Sequence, residues 1–198
     1  MTDFFLKGGF FMWPILFCSV VSLAVVLERF SFFYKTRSRN RNLPERVLAL
    51  MDARKTGEAL ALCEAEPCFL GRFLSVGVKV SDRSEEEKQK ILRRAGSREL
   101  EAGEKYLRVL AVIGSTATLL GLLGTVTGMV QTFKTIEGAG GMADVTVLAG
   151  GIWEALLTTV FGLCVAIPTV VCSHYLEGIV DARAIQLKNI ASDVFKIH

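Results

Sequence analysis

The sequence has little of what most enzymes use. It holds only two histidines, His174 and His198, among 198 residues, with no Ser/His/Asp arrangement and no phosphate-cradling glycine loop around them. These gaps argue against an enzyme and imply no cofactor. Cysteine is sparse, at five. Cys18, Cys164 and Cys172 fall in apolar runs, and Cys63 and Cys68 lack the second Cys/His pair that would complete a zinc site, so no metal is expected. A net charge of only +3 gives nucleic-acid binding no electrostatic support. The first apolar run has only Lys7 as a basic n-region and no small-residue cleavage pattern, so it reads as a retained span and not as a signal peptide.

What the chain has in abundance is apolar residues, 51% of the total. They concentrate in three blocks, about 10 to 34, 109 to 133 and 147 to 173, with the charge between and after them. Each block is long enough to cross a bilayer as a helix. Basic residues crowd the stretch from Lys35 to Arg108, including Arg37, Arg39, Arg41, Arg93 and Arg94. The stretch from Lys134 to Gly150 sets one lysine against Glu137 and Asp144. By the positive-inside rule the 35–108 segment is cytoplasmic.

The expected class is therefore an all-α membrane protein of three transmembrane helices, the second and third extended into the cytoplasm. The order is an external N-terminus at 1–9, a first transmembrane helix at 10–34, a cytoplasmic helical segment at 35–108 and a second transmembrane helix at 109–133. An external loop at 134–146, a third transmembrane helix at 147–177 and a cytoplasmic C-terminal helix at 178–198 complete it. In the cytoplasmic segment Asn42-Leu-Pro44 suits a helix start, and Gly57 and Pro67 are expected to break the stretch up to Ser84 into short helices. Ser84-Glu-Glu-Glu87 has the pattern of a capping box. Proline is absent from Glu85 to Phe133, so one helix of nearly fifty residues is expected there, roughly 70 Å long at 1.5 Å per residue.

The spans differ in their faces. In the second, Gly114, Thr118, Gly121, Thr125, Gly128 and Thr132 recur at steps of 4, 3, 4, 3 and 4. In the third, Gly151, Ala155, Thr159, Gly162, Ala166, Thr169 and Ser173 recur at steps of 4, 4, 3, 4, 3 and 4. Lipid gives helices no hydrophobic reason to associate, so small seams that admit close backbone approach are the membrane's packing signal. Gly114, Gly121, Gly128, Gly151 and Gly162 are the expected packing positions. The first span, with Leu16, Phe17, Leu23, Val26 and Leu27, has no such seam and is expected to face lipid.

Glu154 stands about two turns into the third span. A carboxylate at the centre of a span costs roughly 2.5 to 3.5 kcal/mol to insert, less near the interface. One reading has it snorkel to the headgroups or pair with a neighbouring subunit; the other has it line a water-accessible path and bind and release an ion. Neither later span carries a basic residue to neutralise it. They do offer hydroxyls at Thr125, Thr158 and Thr159, although a threonine alone commonly bonds its own helix. Pro168 removes a backbone hydrogen bond and is expected to bend the third span, as a static kink or a mechanical one.

The run Leu119-Leu-Gly-Leu-Leu-Gly-Thr-Val-Thr-Gly-Met129, followed by Gly151-Ile-Trp-Glu-Ala-Leu-Leu-Thr-Thr-Val-Phe-Gly-Leu-Cys-Val-Ala-Ile-Pro168, closely resembles the paired signature of the ExbB/TolQ/MotA proton-channel family. Ser22-Leu-Ala-Val-Val-Leu-Glu-Arg29 is similar to that family's first span. Three spans resemble the ExbB and TolQ branch. The resemblance implies a multi-pass protein of the bacterial inner membrane, N-terminus periplasmic and C-terminus cytoplasmic, assembled as a homopentameric helical bundle. An ExbD- or TolR-like single-span protein would occupy its central pore, with a TonB- or TolA-like protein as further partner. Glu154, Thr125 and Thr159 would form the ring past which a partner aspartate carries ions, driving a motor that energises TonB-dependent transport across the outer membrane. A TolQ-like envelope-maintenance or gliding motor, or a passive membrane scaffold, are the alternatives. Thr158 beside Thr159 adds a hydroxyl where many members have a small apolar residue, which leaves proton or sodium coupling open.

Overall fold

The computed structural model describes residues 9–37, 42–138 and 145–196. The residues before Gly9, expected as an external N-terminus, Arg39 and Arg41 of the basic stretch, residues 139–144 of the expected external loop and His198 lie outside the described residues. Among the described residues the chain is helical, without strands: α1 Met12–Lys35, α2 Leu43–Asp52, α3 Thr56–Ala65, α4 Phe69–Lys79, α5 Glu85–Glu104, α6 Leu107–Gly138 and α7 Val145–Lys196. Three runs, Met12–Lys35, Glu85–Gly138 and Leu148–Asp193, are long and apolar enough to cross a membrane.

The expected single helix from Glu85 to Phe133 is interrupted. Helix α5 ends at Glu104, and α6 begins at Leu107. Between them Lys105 is extended and Tyr106 is left-handed at φ 68°. A group on α1 meets this break. In an unbroken helix the Ala102 carbonyl would accept the Tyr106 N–H, but the buried Arg29 donates from Nη1 to Ala102 O at 2.9 Å. A cation bonded to an end carbonyl is a favourable helix terminus. Neither Lys105 nor Tyr106 is a helix breaker that would signal this, and the group bonded to the end carbonyl comes from another helix.

A second correction concerns Gly57. It lies in the first turn of α3, and the preceding break falls at Ala53–Lys55, where Arg54 takes a left-handed φ of 56°. Pro67 does fall between helices, and Pro44 lies in the first turn of α2. Ser84 caps α5 by accepting the Glu87 N–H at 3.4 Å. The regions expected as a third span and a separate C-terminal helix form the single helix α7, which carries Pro168 in its interior.

The chain divides into two compact units. One comprises the described residues up to Leu27 together with Tyr106–Tyr175; the other comprises Glu28–Lys105 and the residues from Leu176 onward. The second has a conventional apolar core, in which Leu43, Val47, Phe69, Phe73, Leu74 and Leu92 of the short helices meet Leu187 and Ile190 of α7. Burial of bulky side chains away from water holds it, at about 25 cal/mol per Å² of apolar surface. Arg183 adds a polar clasp. Its guanidinium lies 4.7 Å from the Phe33 ring centre and 4.6 Å from that of Phe69, and Nη1 donates to Thr36 Oγ1 at 3.1 Å. Arg72 holds Glu99 through two bonds of 2.9 and 2.6 Å. Cys63 and Cys68 are both buried in this core, and burial pushes the Cys63 thiol up to about 11.

Candidate functional site

The first unit packs differently. Helices α6 and α7 run against each other in an antiparallel register in which glycine meets backbone. A methyl group at Gly162 would lie 2.7 Å from the Ala117 carbonyl oxygen and 3.0 Å from Gly121 Cα. One at Gly128 would lie 2.8 Å from Ala155 Cβ, and one at Gly114 2.6 Å from a Val170 methyl. Gly151 likewise sits against Thr132. Each distance is too short for a carbon side chain: at Gly162 the obstacle is backbone, so a larger residue there requires a shift of the helices, and at Gly114 and Gly151 the Val170 and Thr132 side chains stand in the way.

The contact face of α6 is offset from the expected one. Leu110, Ile113, Gly114, Ala117, Gly121, Gly124 and Thr132 are buried, whereas Thr118 is exposed and Thr125 only half-buried. Ala117 and Gly124 replace Thr118 and Thr125 on the seam. The sequence carries the signal as a run of small residues at 114, 117, 121, 124 and 128, whose steps of 3, 4, 3 and 4 fit a helix as well as the run through the threonines. On α7, Ala155, Thr158, Gly162, Ala166, Thr169 and Ser173 are buried. Bulky residues of α1 such as Trp13, Phe17, Val20 and Leu23 are exposed, while Met12 and Ile15 are buried.

The three hydroxyls near Glu154 have different surroundings. Thr125 Oγ1 donates to its own helix at Leu122 O, 2.6 Å away. Thr158 is buried at 2% exposure, donates to Ala155 O at 2.6 Å and presses against Gly124. Thr159 alone reaches across, donating to Gly121 O on α6 at 2.8 Å. It therefore links the two helices at their closest approach. Glu154 itself is exposed, one residue from the buried Ala155 that meets Gly128. A methyl group at Gly9 would lie 3.3 Å from its Oε1, so the turn leading into α1 sits beside the carboxylate.

The sequence expectation of an acid accompanied by hydroxyls is thus resolved into parts. Thr159 is fixed on α6, the Thr125 and Thr158 hydroxyls are satisfied by their own helices, and Glu154 is on the surface of the single chain. Gly9 had no sequence signal at all, since its nearness to Glu154 depends on where the start of α1 lies. Among the described residues no group of three or more His, Cys, Asp or Glu side chains could hold a metal ion.

Comparison with known proteins adds a family. Residues 66–189 match the MotA/TolQ/ExbB proton channel family. A Synechocystis protein named as biopolymer transport protein ExbB-like 1 is 35% identical over 171 residues, covering 84% of this chain and 66% of its own length. The Tol-Pal system protein TolQ of Haemophilus influenzae is 28% identical over 175 residues, covering 83% of this chain and 76% of its own length. A Methanothermobacter thermautotrophicus protein named as an ExbB homolog of biopolymer transport is 27% identical over 184 residues, covering 91% and 64%. The chain therefore spans just under two thirds of the first and last of these relatives.

Proposed function

The chain belongs to the MotA/TolQ/ExbB proton channel family, and on that basis we propose that it is an inner-membrane motor subunit of the ExbB type. In this reading it uses the proton motive force to energise transport across the outer membrane. It is a membrane protein with three apolar helices. The basic stretch from Lys35 to Arg108 supports placing the second unit in the cytoplasm.

The observation that carries the reading is the position of Glu154. It projects from the surface of the single chain beside the α6–α7 contact, in the apolar run Leu148–Asp193. An exposed carboxylate in an apolar run is open to a polar counterpart from outside the chain. A ring of such chains, taken as a homopentamer, would bring equivalent Glu154 side chains around a shared pore. An ExbD- or TolR-like single-span helix inside it would then supply the opposing group. Thr125, at the edge of the contact face, and Thr159, five residues further along α7, would be the hydroxyls nearest that path. Each charge crossing 100 mV releases about 2.3 kcal/mol, enough for several ions to drive a mechanical step. No covalent chemistry is required of the chain.

The test is Glu154→Gln in cells, with assembly measured separately. The reading expects complexes of normal composition and loss of energised transport; normal complexes with normal transport overturn it. The TolQ-type reading, favoured by the match to a Tol-Pal protein over most of this chain, is separated by the partner that co-purifies. A TonB-like protein supports the ExbB role, and a TolA-like protein the envelope-maintenance role.

A further inference from the structure

We infer that Gly9 is a positioning residue for the Glu154 carboxylate, a role that rests on the ion-transfer reading of Glu154. Three observations meet at this point. The Gly9 backbone is left-handed at φ 68°, a conformation that glycine adopts without penalty and other residues resist. Its carbonyl accepts the Met12 N–H at 3.3 Å, and the next turn is tied by Trp13 N–H to Phe10 O at 3.3 Å. Met12 and Ile15, at 1% and 2% exposure, anchor the start of α1 in the unit. The turn is thus held by its own hydrogen bonds and by buried side chains, and is no loose end lying by chance on the acid.

At this fixed turn, a Cβ on residue 9 would stand 3.3 Å from Glu154 Oε1. That is closer than ordinary carbon–oxygen contact, so the carboxylate would have to retreat by a few tenths of an ångström, away from α1 and towards the open surface. The carboxylate is the flexible end of an exposed side chain, so the retreat leaves the helices undisturbed. What changes is the location of the charge. Misplacement of reacting groups by about 1 Å costs up to about a hundredfold in rate, and a displacement of a few tenths of an ångström a smaller part of that. Glycine at position 9 therefore leaves the space beside the turn open to the acid, and a Cβ there would exclude the carboxylate from that position.

The experiment compares Gly9→Ala and Gly9→Asn in the assembled complex. Asparagine tolerates the left-handed backbone, so it keeps the turn while adding the Cβ; alanine adds the same Cβ and strains the backbone. Two quantities are read, the energised transport and the rate at which a membrane-permeant carbodiimide labels Glu154, the second being independent of transport. Both variants are expected to assemble, to label Glu154 faster by about threefold or more, and to lose transport several-fold. In a Glu154→Asp background, where the carboxylate is one methylene shorter, adding either Gly9 variant is expected to leave the labelling rate unchanged. Wild-type labelling in Gly9→Asn, or an equal increase in the Glu154→Asp background, overturns the inference. If Glu154→Gln retains full transport, the ion-transfer reading falls on its own, while the labelling result still decides whether Gly9 sets the position of the carboxylate.

Discussion

The two units solve the packing problem with opposite materials. In the second, Leu43, Val47, Phe73, Leu74 and Leu92 are buried as bulk, and long cations reach into it to bond backbone and aromatic rings, as Arg29 does at Ala102 and Arg183 at Phe33 and Phe69. In the first, the contact is made of what is missing from side chains: Gly114, Gly121, Gly124, Gly128, Gly151 and Gly162 bring the α6 and α7 backbones together, and bulky Leu119, Leu122, Val160 and Ile167 are turned outward. The difference comes from the solvent. Water drives large apolar groups inward. Lipid is indifferent to them, so only close packing and hydrogen bonds distinguish the paired helices from separate ones.

Adding volume should therefore break the first unit, and removing volume the second. The largest effect is expected for Gly162→Val, because its side chain would meet the Ala117 carbonyl and the Gly121 backbone with no flexible group to yield. Loss of the α6–α7 pair, and with it of assembled complex, is the expected outcome; blue-native electrophoresis or crosslinking between engineered cysteines on the two helices measures it. Normal assembly of Gly162→Val would mean that the seam does not hold these helices. Leu74→Ala provides the reverse case. Leu74 is 2% exposed in the core of the second unit, and truncation should cost about 2 to 5 kcal/mol through lost burial and the cavity left behind. It should lower the thermal midpoint of the purified complex. At Leu122, 55% exposed in the first unit, the same truncation should change little.

How much of this was legible in the sequence also divides along that line. The α6–α7 pair was readable because small residues at helical spacing carry their meaning locally, and Gly114, Gly121, Gly128, Gly151 and Gly162 all lie at the contact. Its rotational setting was less so: Thr118 and Thr125 share the periodicity of Ala117 and Gly124, and only the three-dimensional contact distinguishes them. The break at Lys105–Tyr106 had no local signal, and the group that bonds the Ala102 carbonyl beside it, Arg29, is seventy-three residues away. The place of Gly9 beside Glu154 was hidden for the same reason. Local patterning reports which residues share a face; it does not report which distant group will bond to it.

The smallest expected effect concerns the one hydroxyl that crosses the seam, and it separates packing from function within the first unit. Thr159→Val keeps the shape and removes the bond to Gly121 O. Interhelical hydrogen bonds inside membranes average about 0.6 kcal/mol, far below the cost of a misplaced valine at Gly162. Assembly and thermal midpoint should be nearly unchanged. Thr159→Ser, which restores the donor, should match the wild type in both stability and transport. If Thr159 served only to hold α6 to α7, transport in Thr159→Val would track that small stability change. The proposed ion path expects a larger fall, because valine also removes an oxygen five residues from Glu154. Transport measured beside the thermal midpoint decides: a loss no greater than the stability change assigns Thr159 to packing alone, and a disproportionate loss rescued by serine places its hydroxyl on the route past Glu154.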